Sequence, residues 1–293
     1  VHYFDTHDPY EPPDEFDRLY YEGDEKAEPS DPARSIDVIY SGQNRIRQSR
    51  RFRYMWLEGV RDIEYPVRQY AAGVTYVDHH VGITIDEMRA SGVLDDSIVI
   101  LLADHGEHLT EHDIYFTHRL PYAECLQVPL MIRLPGGRLA GTRIEDPVSL
   151  VDVLPTLLDL LGLDPAPGIE GRSLAPLLRG EELASRLLYA EHGTREDMWA
   201  KSVWDEQWRY TEIRDRDVFT SELFDRRADP AEARDVSAEH PDLVERYSEA
   251  LDARFGVDRR SLRGEADSTA TPEIDPEMLE RLEALGYTGG GGQ

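Results

Sequence analysis

Apolar and polar positions divide the chain into elements of different period. From Ile63 to Ser91 apolar residues recur near helical spacing at Tyr70, Val74, Val77, Val81, Ile85 and Met88, which predicts a long amphipathic helix. Gly92 stands where its C-terminal cap belongs. After the short turn "VLDDS" comes "IVILLA", Ile98 to Ala103, an unbroken apolar run of the kind that marks a strand covered on both faces in a parallel sheet. "VPLMIRLP", Val128 to Pro135, is a second such strand. "DPVSLVDVLPTLLDLLGL", Asp146 to Leu163, predicts a helix started by Ser149, with an apolar stripe at Leu154, Leu157, Leu158 and Leu161 and a stop at Gly162.

After "GRSLAPLL" the pattern shortens. "LLYAEH", "AKSVWDEQWRYTEIR" and "SELFD" read as short strands, with "DEQ" as a hairpin tip, and "PDLVERYSEALDARF" as a closing helix that ends near Gly256. Glu11 to Asp37, rich in Pro, Asp and Glu, reads as a surface loop, and "TGGGGQ" as a flexible tail. These patterns predict an α/β core over residues 1–186, a small C-terminal α+β subdomain over 187–262 and a tail over 263–293.

Composition narrows the classes. The 293 residues are 40% hydrophobic, enough for a sizeable globular core. No apolar run reaches the length of a bilayer span. The opening residues lack a starting Met, a basic n-region and an apolar h-region, so they are not a signal peptide and read as the interior of a longer sequence. A single cysteine, Cys125, excludes an internal disulfide framework. In "YAECLQVPL" it reads as a small core residue rather than a nucleophile. The net charge of −27 argues against nucleic acid as a partner. Only Lys26 and Lys201 are lysines, and arginine supplies every other cation. The acidic excess and the Arg bias together favour a halophilic source, an archaeon among the candidates, and a cytoplasmic setting. The plainer alternative is a GC-rich genome with an ordinary acidic surface.

The apolar run from Val99 to Ala103 leads straight into Asp104-His105-Gly106-Glu107, and His108, His112 and His118 follow. In open α/β sheets ligands bind beyond the carboxyl ends of strands. One carboxylate and one imidazole on adjacent residues at such an end, with Gly106 easing the turn, suit a divalent cation. The alternative is that Asp104 caps the next segment and His105 is a surface side chain. His118, in "YFTHRLPYAE", could hydrogen-bond an anionic substrate or protonate a leaving group, or be a solvated loop residue. His108 and His112 read as solvated loop residues. In "HYFDTHDPY", "HYFD" has the alternation of a strand that would hold His2, and "THDPY" looks like the turn after it. His7 then stands at a strand end, with Asp5 and Asp8 as turn formers.

These stretches together resemble the sulfatase family of the alkaline-phosphatase superfamily. "HYFDTHDPYEPP", "YAAGVTYVDHHVGITIDEMRASGVLDDSIVILLADHGE", "HRLPYAECLQVPLMIRLPG", "VSLVDVLPTLLDLLGL" with "GIEGRSLAPLL", "SELFDRRADPAEARDV" and "LEALGY" carry the likeness over nearly the whole chain. It implies an alkaline-phosphatase-like α/β fold: a mixed, mostly parallel sheet flanked by helices, with the small α+β subdomain after it. By this resemblance Asp104 and His105 would be two ligands of the catalytic divalent metal, usually Ca²⁺, with Mg²⁺, Mn²⁺ and Zn²⁺ as alternatives. His118 and His7 would contact the sulfate or the leaving oxygen. The metal would polarise the ester and help activate the nucleophile, and the imidazoles would stabilise charge as the S–O bond breaks.

The family's nucleophile is a formylglycine made from Cys or Ser within C/S-x-P-x-R. It belongs to the N-terminal half of the family's sequence, as do two further Asp ligands. The cysteine stretch "CLQVP" does not fit that motif, and the chain reads as a C-terminal portion that lacks the nucleophile. The implied substrate is a small-molecule or glycan sulfate ester. The oligomeric state is not readable. Two alternatives stay open: a phosphoester or phosphonate hydrolase or transferase of the same superfamily, marked by a plain Thr or Ser nucleophile, and a non-catalytic remnant. If part of the core lies outside this chain, strands 98–103 and 128–134 should be partly uncovered, and His7, Asp104, His105 and His118 should line an open concavity.

Overall fold

The computed structural model describes residues 1–40, 54–165, 167–195, 198–216 and 218–256. Residues Val1–Ala250 form one compact unit; a second, Leu251–Gln293, is described only as far as Gly256. The expected tail, "TGGGGQ" and "LEALGY" included, lies outside the described residues.

Helix α1, Glu64–Ala90, lies where the spacing predicts it, with most of the predicted stripe half-buried rather than buried, and Gly92 ends it with φ of 77°. Its buried face is Pro66, Gln69, Ala72 and Gly73, while Val74 is exposed. Strand β1, Val99–Leu102, leads into the histidine loop, which contains the short helix α2, Ala123–Leu126, and returns as β2, Leu130–Arg133. The two strands pair antiparallel, Val99 opposite Arg133 and Leu102 opposite Leu130. The parallel pairing expected from their apolar character is therefore corrected for this pair. An apolar run shows that both faces of a strand suit burial, but it carries no information about which neighbour its backbone bonds. Nor are both faces covered: Leu102 is exposed and Met131 is 61% exposed.

The predicted helix over 146–163 shrinks to a 3₁₀ turn, Leu150–Asp152, and α3, Val153–Leu160. Ser149 starts it as expected, its N–H donating to Asp152 Oδ2 at 3.0 Å. The leucine stripe turns inward only in part, Leu157 and Leu158 being half-buried. Leu154 is 53% exposed and Leu161 is exposed too, whereas Asp152, Pro155 and Thr156 are buried. The polar side is held by hydrogen bonds: Asp152 Oδ1 accepts from Arg172 N at 2.9 Å, and Thr156 Oγ1 from Leu174 N at 2.8 Å. Helix α4, Ala175–Leu178, follows.

The expected small strands form one antiparallel sheet in chain order: β3 (Leu188–Arg195), β4 (Met198–Trp204), β5 (Trp208–Asp215) and β6 (Val218–Asp225). The β4–β5 tip falls at the predicted residues, where Asp205 Oδ1 accepts the N–H groups of Gln207 and Trp208 at 2.9 and 2.8 Å. Helix α5 spans Pro241–Phe255. The sheet packs on the histidine loop through Ala200, Ile213 and Phe224 against Ile114 and Tyr122.

Two N-terminal expectations are corrected. Residues 1–4 form no strand, because no other described segment pairs with them, and alternation without a ladder partner makes no sheet; His2 is simply exposed. The loop over 11–37 is anchored rather than loose: Tyr21 and Ile36 are buried, and Ile36, Ile39 and Tyr10 form a core with Tyr115 and Phe116 of the histidine loop.

Candidate functional site

Beyond the end of β1 the chain turns both Asp104 and His105 to one side. Asp104 Oδ1 accepts from His105 N at 3.0 Å, and its Oδ2 lies 3.9 Å from His105 Nε2. His105 Nδ1 lies 2.8 Å from the Gly106 carbonyl oxygen. A carbonyl only accepts, so the proton is on Nδ1 and the lone pair of the neutral ring is on Nε2, the nitrogen nearer Asp104.

His118 stands beside them, its ring centroid 4.3 Å from that of His105. A two-bond bridge places it: His108 N donates to Thr117 O at 2.9 Å and Thr117 N to His108 O at 3.1 Å. His7 extends the row, 5.8 Å from His118 and stacked on Phe4 at 4.5 Å. Its Nδ1 meets Asp8 O at 2.8 Å and Asp8 Oδ1 at 3.0 Å. The Asp8 hydrogen bond raises the His7 pKa above its ordinary value, against the opposing effect of burial. The segment that carries His7 lies against α1. Tyr3 OH bonds Thr84 Oγ1 at 2.8 Å, and Gly73 lets Asp5 O approach so closely that a Cβ there would lie 3.1 Å from it. The four residues singled out from sequence thus come together as His7, His118 and His105 in a row with Asp104 at its end, part-exposed to solvent.

Gly106 has a different reason from the one its sequence context implies. A Cβ there would lie 1.9 Å from Glu124 O, and Gly106 N donates to Cys125 O at 2.8 Å. Glycine is needed so that the backbone of α2 can approach. Cys125 is buried, and desolvation pushes its thiol pKa far up, as a core residue requires.

His108 and His112 are not solvated. His108 is fully buried, its Nε2 3.2 Å from Leu120 O, and burial lowers its pKa. His112 stacks on Tyr122 at 4.1 Å, with Nε2 3.4 Å from Glu124 Oε2. Both are covered because the C-terminal sheet grips this loop. Tyr122 OH donates to Glu222, Arg209 Nη1 donates to Pro121 O at 3.2 Å, and Ala123 N donates to Glu232 Oε2 at 3.0 Å. Sequence reasoning passed over Arg209 and Glu232, a buried ion pair at 2.9 Å. The "ADPAE" stretch that ends in Glu232 was the available signal.

Asp104 and His105 fit a share of a divalent-metal shell. One oxygen and one imidazole nitrogen 3.9 Å apart are closer than two Ca–O bonds of about 2.3–2.6 Å laid end to end, so one ion can reach both. Among the described residues no third His, Cys, Asp or Glu joins them in a metal-binding group. The reading that the nucleophile motif is missing needs one amendment. Ser30-Asp31-Pro32-Ala33-Arg34 spells S-x-P-x-R. The structure ties this stretch to its own surroundings: Asp31 caps the 3₁₀ turn Pro32–Arg34, and Arg34 Nη2 bonds Asp62 Oδ2 at 2.6 Å. Ser30 itself is exposed.

Comparison with known proteins now decides the family. The model of the family described as Sulfatase matches residues 1–163. The chain belongs to the sulfatase family. A second model, described as N-sulphoglucosamine sulphohydrolase, C-terminal, matches residues 110–254, from the histidine loop through the sheet that grips it. The chain is 33% identical to choline-sulfatase of Rhizobium meliloti (strain 1021) over 59% of its own length and 33% of the relative's. To arylsulfatase K of Xenopus laevis it is 30% identical over 66% and 37%. It therefore spans about a third of the length of these relatives. Among solved structures, BT1596, described as a 2-O GAG sulfatase, superposes with a TM-score of 0.58 at 25% identity, over 71% of this chain and 47% of that one. The phosphonate monoester hydrolase SpPMH of Silicibacter pomeroyi superposes with a TM-score of 0.57 at 25% identity, over 66% and 41%. The fold is thus the family's α/β fold, although both sheets among the described residues are antiparallel. Family membership brings the general expectation of a divalent metal and a formylglycine. No described helix is long and apolar enough to cross a membrane.

Proposed function

We propose that this chain forms the His-rich side of the active site of a sulfuric ester hydrolase. The carrying observation is the row His7–His118–His105 ending at Asp104. Asp104 and His105 Nε2 would hold the divalent metal, Ca²⁺ by the family's habit, which when bound supplies positive charge against the ester's anionic oxygens. His105 is oriented for this by its Nδ1–H bond to Gly106 O. His118, next in the row, donates to the bridging or sulfuryl oxygen as negative charge develops there. His7, whose pKa Asp8 raises, faces the same anion from the far side and would add positive charge there when protonated. The nucleophile would be the formylglycine that the family makes from Cys or Ser. Sulfatases among the relatives favour a sulfate ester of a sugar or small alcohol as substrate. The division at residues 186 and 262 is proposed from the change of sequence pattern alone.

The test uses the longest natural polypeptide that contains this chain. Aryl sulfate should be turned over, and His118→Ala should lower kcat by about 10²–10⁴, the usual worth of a general acid. The similarity to a phosphonate monoester hydrolase sets the competing outcome: turnover of an aryl phosphonate monoester well above that of aryl sulfate would reject the sulfatase reading. For the metal, Tb³⁺ luminescence should report binding that Asp104→Asn weakens. Undiminished Tb³⁺ binding in that variant would remove Asp104 from the site.

A further inference from the structure

A second concave site lies away from the histidines. A cleft of about 400 Å³ opens beside the β4–β5 tip and is lined by Arg172, Arg186, Arg227, Arg246 and Trp208, with none of His7, Asp104, His105 or His118 on its wall. In a chain of net charge −27, the four guanidinium groups offset the three carboxylates of the same wall, Asp146, Asp205 and Glu206, so the cleft lacks the acidic excess of the chain as a whole.

Of these three carboxylates Asp146 is exposed, and Asp205 and Glu206 are engaged by neighbours. Asp205 accepts from two backbone N–H groups and from Tyr247 OH. Glu206 accepts from Arg227 at 3.1 Å and from Ser185 at 3.0 Å. The cations are not all used. Arg172 donates from Nη1 to Ala184 O and Arg186 from Nη2 to Asp152, yet the buried Nε of each has no hydrogen-bond partner among the described residues. Those Nε atoms are shielded from the cleft, but Arg186 keeps 24% of its side chain exposed, so part of its guanidinium group is open to an anion in the cleft. Planar guanidinium groups meet carboxylate or sulfate oxygens in matched pairs. Trp208, partly exposed on the same wall, offers an apolar face. The volume suits a monosaccharide or disaccharide.

We infer that this cleft is a secondary binding site for an anionic saccharide, with Arg172 and Arg186 taking a sulfate or carboxylate group, Trp208 the ring face and Arg246 a neighbouring charge. It is separate from the histidine row, so it stands or falls independently of the proposed hydrolase activity. A site of this kind would hold a charged glycan while another part of it is processed.

The experiment titrates the full chain with four probes: glucosamine 6-O-sulfate, glucuronic acid, N-acetylglucosamine and inorganic sulfate. The readout is the Trp208 indole N–H resonance in ¹⁵N spectra. The sulfated sugar should shift it saturably, and more tightly than inorganic sulfate. The sulfated sugar and glucuronic acid together distinguish sulfate from carboxylate as the preferred group, and saturable binding of either upholds the site. Arg246→Glu, on the exposed face of α5 and safe for folding, should weaken that binding by about tenfold. Arg172→Gln should do the same where it folds. His118→Ala should leave it unchanged. The inference is overturned if no anionic sugar shifts Trp208. Three further results would also overturn it: N-acetylglucosamine binding equally well, inorganic sulfate matching the sulfated sugar, or His118→Ala rather than Arg246→Glu abolishing binding.

Discussion

Replacing Glu232 should do more damage than any single surface change in this chain. Arg209 and Glu232 are each about 1% exposed and lie 2.9 Å apart. Burial raises the Glu232 pKa, against the attraction of Arg209, and lowers the Arg209 pKa to about 10. Both shifts say that desolvation outweighs the mutual attraction, the expected balance for a buried ion pair. The pair is therefore a poor source of net stability but a dangerous one to break. Glu232→Gln keeps the shape and an oxygen for Ala123 N, and leaves the Arg209 charge with Pro121 O, the Trp204 ring 5.0 Å away and the weaker attraction of Glu124. Removing one partner of such a pair costs about 3–5 kcal/mol. At about 2–4 °C per kcal/mol for a domain of this size, the melting temperature should fall by roughly 6–20 °C. Glu232→Ala also orphans Ala123 N, adding about 1–3 kcal/mol, and should disturb the His118 ring resonances because Ala123 belongs to the same loop. Urea unfolding followed by circular dichroism measures the loss, and Arg209→Met combined with Glu232→Gln measures the coupling. Glu181→Ala, which breaks an exposed pair with Arg179, is the control and should leave the midpoint unmoved. A loss below about 1 kcal/mol for Glu232→Gln, or strict additivity of the two changes, would refute this account of the loop's anchorage.

Other outcomes follow from single features. Gly106→Ala drives a Cβ into Glu124 O and should cost at least about 1–3 kcal/mol, the range for overpacking; wild-type stability would show that α2 moves away freely. By NMR, His7 should titrate above the ordinary histidine value and Asp8→Asn should lower it, since Asp8 is the main cause of the shift. The stabilisation from this pair is fully present below about 6.5, the unfolded value, and fades as pH rises through the raised folded pKa. An Asp8→Asn variant with an unchanged titration would contradict this. If the acidic excess is adaptation to salt, the melting temperature should climb steeply with molar KCl as screening relieves self-repulsion. A flat or falling curve favours the GC-rich alternative.

Local chemistry was legible wherever a residue's neighbours in sequence settle its role. The α1 periodicity, the Gly92 stop, the Asp205–Gln207 tip and the strand run into Asp104-His105 all follow from short-range rules, because caps, turns and alternation act over a few residues. The approximate reach of α5 was legible for the same reason. Direction and covering were not. Nothing in "IVILLA" or "VPLMIRLP" states that β1 and β2 bond antiparallel to each other. Of the stripe Leu154, Leu157, Leu158 and Leu161, the first and last stay exposed, because hydrogen bonds to Asp152 and Thr156 bury the polar side of α3. Gly106 looked like a turn residue, but its requirement comes from Glu124, eighteen positions away in the chain and in contact only after folding. His108 and His112 looked solvated because the sheet that covers them is encoded a hundred residues later. His7 meets His118 only because α1 carries the N-terminal segment back over the loop. The sequence by itself determined which residues could do chemistry and which segments could be helix or strand, since both depend on side-chain type and local spacing. Tertiary structure alone decided which of them meet, because a contact between distant segments is fixed by packing and backbone hydrogen bonds that no local pattern records.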